Sequence, residues 1–149
     1  MNTTLVLGLA LGLGAPALKD PPKKDLSIVG EWEVESVGMN GPPTGVGGLL
    51  RYTFTADGKW LMYKAGQELP LAGGTRTFTQ DPKPNPAAVD LVTTRPGAAA
   101  ESRLLGIFKV EGDTLTICGT RTQGAERPTT FEAGAGVTLY VLKRAKPKD

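Results

Sequence analysis

The chain has 149 residues, enough for one domain, and its 40% hydrophobic and 21% charged content predicts a folded core. Lys and Arg total 17 against 15 Asp and Glu, a formal charge of +2, without the basic stripe that nucleic-acid binders carry. Histidine is absent and Cys118 is the single cysteine, which removes the commonest general base and metal ligand and excludes an internal disulfide or thiolate metal cluster.

Residues 1–17 hold no charged side chain, and Leu5 to Leu13 is a short apolar run. Ala15-Pro16-Ala17 supplies a small-x-small pattern, so residues 1–17 read as a signal peptide cut after Ala17. A membrane anchor needs about 20 apolar residues. This run is shorter, interrupted by glycines and closed by Pro16, and no cysteine follows it for lipid attachment. A periplasmic or extracellular product without a membrane span is therefore expected. Residues 18–25 read as a linker, 26–144 as the folded domain and 145–149 as a charged tail.

Ile28 to Val37 alternates, with Trp32, Val34 and Ser36 on one face and Glu31, Glu33 and Glu35 on the other, the period of a half-buried strand. Asn40 to Gly48 is a loop. Leu50–Thr55 and Lys59–Lys64 read as strands joined at Asp57-Gly58, for which a type I′ turn with positive φ at both central residues is expected. Gln67 to Gly74 is a connection. Thr75–Gln80 is a strand, and the prolines of Asp81–Pro86 bar that stretch from a sheet interior. Ala88–Thr93, Leu104–Val110, Thr114–Cys118 and Val137–Leu142 bring the total to about eight strands, and no segment has a helical period. An all-β antiparallel fold follows, a sandwich or an up-and-down barrel. "TFTADGK" at Thr53 and "TFTQDPK" at Thr77 echo one another, but the echo does not extend or recur, so it marks two strand–turn corners.

"GEWEVES" (Gly30–Ser36), "DPKPNPAAVDL" (Asp81–Leu91), "LLGIFKVEGDTLTIC" (Leu104–Cys118), "ERPTTFEA" (Glu126–Ala133) and "LYVLKR" (Leu139–Arg144), in this order, resemble a bacterial domain family of unknown function. That family is abundant in planctomycete proteomes and regarded as lipocalin-like. The resemblance runs from Leu26 to Arg144 and implies one small, exported, lipocalin-like barrel and no known activity. Gly30-Glu31-Trp32 is also similar to the G-x-W of lipocalins at large, which implies that Arg144 packs over Trp32 and closes one barrel end.

Without histidine, acid–base chemistry would fall to carboxylates, Lys, Tyr or Cys118. Asp81 and Asp90 flank the proline-rich corner, and Arg127 is expected to pair with one of them in a structural role. Glu31, Glu33 and Glu35 read as a solvated exterior, and the glycine-rich stretches lack the Lys-Ser/Thr of a phosphate loop. Cys118 reads as a small strand residue on the face opposite Leu115 and Ile117. Parity with Trp32, Val34, Val89, Leu115 and Ile117 points Tyr52, Phe54, Trp60, Met62, Phe78, Leu91, Ile107 and Tyr140 inward, as candidate ligand-binding residues. An eight-stranded barrel is either filled by side chains or holds one small ligand. The reading is a non-catalytic monomer that binds a small apolar or amphipathic ligand, with no cofactor or metal. The alternative is a filled barrel that offers its loops, Asn40–Gly48 or Pro70–Gly74, to an envelope protein as an interaction module or secreted protease inhibitor.

Overall fold

A computed structural model describes residues 26–146. The predicted signal peptide and linker lie outside the described residues, as does most of the predicted tail. Ten strands follow one another: β1 (Gly30–Met39), β2 (Thr44–Gly45), β3 (Leu50–Phe54), β4 (Trp60–Lys64), β5 (Gln67–Glu68), β6 (Thr75–Asp81), β7 (Ala87–Thr94), β8 (Ser102–Glu111), β9 (Thr114–Thr120) and β10 (Val137–Arg144). There is no helix among the described residues. The sequence pointed to about eight strands; the added β2 and β5 are two residues each, too short to show a period.

All ten belong to one antiparallel sheet of order β5-β4-β3-β1-β10-β9-β8-β7-β6, with β2 paired to β1 beside this path. Most sequential strands are neighbours; β2 and β3 both pair with β1, β5 and β6 stand at opposite ends of the order, and β10 returns to pair with β1, which curls the sheet. The curl brings β4 toward β6. Across that seam run an isolated bridge between Lys59 and Thr77 and one backbone bond, from Phe78 N–H to the Gly58 carbonyl at 2.8 Å. The fold is thus an all-β sheet curled into an open barrel-like form.

The turn at Asp57-Gly58 is built differently from the expectation. At Asp57-Gly58 only Gly58 has positive φ (85°), Gly58 N–H bonds to the Thr55 carbonyl, and Thr55 N–H bonds to Lys59. This is a three-residue loop closed by a glycine bulge, and the Asp57 carboxylate takes the Thr55 hydroxyl instead of moving into the left-handed region. The two-residue turn with positive φ at both central positions falls at Ala65 (50°) and Gly66 (81°), between β4 and β5.

The β1 alternation breaks once. Val34 pairs with Leu142 and Ser36 with Val141, so Glu35 is an extra residue in a bulge. Beyond it the faces exchange: Val37 packs against the core, and Ser36 leaves the face of Trp32 and Val34.

The concave face carries the core: Trp32, Val34, Tyr52, Phe54, Trp60, Phe78, Val89, Leu91, Leu104, Phe108, Leu115, Ile117 and Leu142 are all buried. Burying each large apolar side chain contributes about 1.5–3 kcal/mol. Gly106 and Gly119 face each other on β8 and β9, and the Leu104 side chain fills the space they leave.

One end of the sheet is sealed. Ile28 is fully buried there, its N–H bonded to Gln80 Oε1 (3.0 Å) and its carbonyl accepting from Trp32 Nε1 (2.8 Å). Arg144 pairs in register with Trp32 and lies 4.4 Å from its ring centroid, an attraction of about 0.5–2 kcal/mol. Gly30 has φ of 138°, and an added Cβ would reach Arg144 Nη1 at 3.4 Å, which accounts for the glycine before the tryptophan.

The convex face of β7–β9 is covered by the segment after β9. Arg127 Nη1 reaches Asp90 Oδ1 (2.7 Å) and the carbonyls of Gly106 (2.7 Å) and Val89 (3.1 Å). Beneath this segment Cys118 is buried, its thiol 3.6 Å from the Glu132 carbonyl.

Candidate functional site

At the end away from Ile28 and Arg144 the interior is open. A cavity of about 590 Å3 lies there, within the roughly 300–1,000 Å3 range of small-molecule sites. β4 supplies Trp60 and Met62, the connection after β5 supplies Leu69, and the rest of the wall comes from β6, β7, β8, the end of β9 and the loop Arg95–Glu101. Pairing explains the convergence. Arg76 lies opposite Thr93, Thr93 opposite Ser102, and Arg121 follows directly on β9, so one row of inward residues crosses four adjacent strands.

Three arginines line this cavity, Arg76, Arg95 and Arg121, and no carboxylate does. Arg76 stacks on Trp60 at 5.4 Å and donates to the Leu69 carbonyl (2.9 Å), which ties β6 across the seam. Arg121 donates to Ser102 Oγ (3.2 Å). The Trp60 indole N–H is buried and has no acceptor among the described residues. A second groove of about 430 Å3 lies beside Leu71 and Glu68, and Trp60 and Arg76 line both it and the cavity.

Deeper in, aromatic rings fill the space. Tyr52 meets Trp60 edge-on at 5.6 Å and Tyr140 at 6.1 Å, and Phe54 meets Phe78 at 5.2 Å. Burial, and secondarily Tyr140, raises the Tyr52 phenol well above its ordinary value, while the charges of Arg121 and Arg76 pull the other way. Both guanidinium charges thus act on the same interior group.

The residues singled out from the sequence separate into groups. Trp60 and Met62 border the cavity. Tyr52, Phe54, Phe78 and Leu91 are buried core, and Tyr140 packs partly buried against it. Ile107 does not face inward. It is buried at 2% exposure, but it pairs with Ala88 and Cys118 on the convex face, while its neighbour Phe108 turns into the core. Both faces of "LLGIFKV" are apolar, so period two alone could not choose between them. Of the two aspartates, Asp90 pairs with Arg127, and also with Arg103 at 3.4 Å. Asp81 makes no ion pair among the described residues; it is exposed and accepts from Lys83 N–H (3.1 Å), capping its own turn.

Arg76, Arg95, Arg121, Leu69, Thr93 and Ser102 were not anticipated as site residues. A signal for Arg76 was present: it shares the parity of Phe78 and Gln80, which makes it an inward arginine on a barrel strand. Arg121 likewise continues the face of Ile117 and Gly119. Arg95 sits in a loop, where parity gives nothing.

The exposed loop after β1 is flanked by Met39 and Leu49, 70% and 55% exposed. Comparison with family models, with the curated proteins and with the solved structures gave no match. The likeness to the planctomycete domain family therefore rests on the quoted motifs alone.

Proposed function

We propose that this chain is an exported, lipocalin-like barrel of eight principal strands that binds a small amphipathic molecule at its open end and leaves it chemically unchanged. The observation that carries this reading is the cavity of about 590 Å3, set over a filled aromatic floor and opposite a sealed end. Apolar contact from Trp60, Met62 and Leu69 combines there with a few polar groups, the usual composition of a small-molecule site. In this reading residues 1–17 direct export, and Trp32 with Arg144 closes the barrel base, as the likeness of Gly30-Glu31-Trp32 to the G-x-W of lipocalins at large implies.

The two tryptophans provide the test. Trp60 borders the cavity and Trp32 is fully buried at the sealed end. Titration with a ten-carbon amphiphile is expected to shift tryptophan emission, and Trp60→Phe is expected to abolish the shift while Trp32 continues to emit. An unchanged emission together with no calorimetric heat would sink the proposal.

The second reading, a barrel that offers its loops to an envelope protein, draws on the exposure of Met39 and Leu49. Single exposed apolar residues are ordinary on protein surfaces, so this reading ranks behind the cavity.

A further inference from the structure

The charges of the cavity narrow the class of ligand. The chain has seven arginines. Four of them, Arg51, Arg103, Arg127 and Arg144, pair with carboxylates. The remaining three, Arg76, Arg95 and Arg121, make no ion pair among the described residues, and these are the three that line the cavity. A near-neutral chain thus gathers its carboxylate-free arginines at one open mouth, with Arg76 half-buried and Arg95 and Arg121 exposed at the rim. Of the acids near this end, Glu101, between the lining residues Ala100 and Ser102, is held by Arg103 at 2.8 Å, and Glu68 lines the neighbouring groove.

Like charges gathered around one concave, partly apolar mouth repel one another and raise the local positive potential. A bound anion removes it. A guanidinium has five N–H donors in a planar fork that fits a carboxylate or phosphate with two parallel bonds. Arg76 uses one nitrogen on Leu69 and Arg121 one on Ser102, so each keeps donors to spare. The Trp60 N–H adds another donor in the wall without an acceptor. Anchoring chemistry and an apolar surface for a tail therefore stand side by side.

We infer that the cavity takes an anionic amphiphile, with a carboxylate, sulfate or phosphate head seated among Arg76, Arg95 and Arg121 and an apolar tail against Trp60 and Met62. This rests on the binding reading above and adds the sign of the head group. The head is common to free short-chain acids and to detached lipid fragments, and the probes below separate it from the tail.

Isothermal titration of the mature chain would compare decanoate, decyl phosphate, decanol, decyltrimethylammonium and inorganic phosphate. Decanoate and decyl phosphate are expected to bind at least about tenfold more tightly than decanol, the difference of one charge-assisted hydrogen bond. Their affinity is expected to fall as salt rises from 0.02 to 0.5 M. Arg121→Gln, at the exposed rim, is expected to lose about tenfold in decanoate affinity with decanol affinity and melting temperature unchanged. Arg95→Gln repeats the test if the first variant fails to fold. Equal affinity for decanol and decanoate, or preference for the cation, overturns the anion claim and leaves the binding reading standing. Inorganic phosphate binding as tightly as decyl phosphate overturns the amphiphile claim. Binding of none of the five defeats the cavity reading itself.

Discussion

At the scale of single residues, the stacking of Arg144 on Trp32 is a contact whose removal has a bounded cost. The Arg144–Asp113 pair at 3.7 Å is highly exposed and adds little. Arg144→Ala is therefore expected to lower stability by about 0.5–2 kcal/mol through the lost cation–π contact, read from urea denaturation. Trp32→Ala, which empties a fully buried site, is expected to cost about 3–5 kcal/mol. Tyr52 gives a pH dependence. Its folded phenol loses its proton at higher pH than in the unfolded chain, where ionisation begins near pH 10. Between those two values the folded state holds the extra proton, so stability is full below about pH 10 and falls as pH rises further. Urea midpoints at pH 8, 10 and 11 should show that decline, and Tyr52→Phe should flatten it. Cys118 is buried and its thiol is raised, by burial first, so alkylation is expected only after unfolding. These positions differ in legibility. Trp32 and Arg144 announced themselves through motif and strand position. Arg76 is less legible because a charged side chain at an inward position breaks the apolar alternation that marks a buried face.

At the scale of elements, alternation located the eight longer strands to within about two residues at most of their ends, because a sheet with one buried face writes its period into the chain. It failed where a second physical effect intervened. The Glu35 bulge reversed the faces of β1, and β8 is apolar on both sides because the segment after β9 covers its outer face. That cover could not be read from periodicity, since an irregular strap has none; Asp90–Arg127 holds it. Two outcomes follow. A side chain at Gly119 would strike Leu104 and lie 3.0 Å from the Leu105 carbonyl oxygen, so Gly119→Val is expected to cost about 1–3 kcal/mol in denaturant unfolding. The seam between β4 and β6 has one bridge, whereas β8 and β9 pair in register from Leu105–Thr120 to Glu111–Thr114. Hydrogen exchange at the Phe78 amide is therefore expected to be faster than at the β8–β9 amides, with uniform protection as the opposing result.

At the scale of the whole molecule, the two ends of the curled sheet are chemically unlike. One is plugged by Ile28 and capped by Trp32 with Arg144; the other opens into a cavity that gathers every arginine lacking a carboxylate partner among the described residues. Net charge and composition could not reveal this, because they average over the chain, while curling brings Arg76, Arg95 and Arg121 together from three separate strand ends. An open, arginine-rimmed end of this kind is built to hold a small molecule. Native mass spectrometry of the mature protein, isolated from the envelope of the cell that makes it, tests it most directly. A retained mass of a few hundred daltons, released on denaturation and negatively charged when free, is expected. A bare chain, repeated after gentle isolation without detergent, would contradict it.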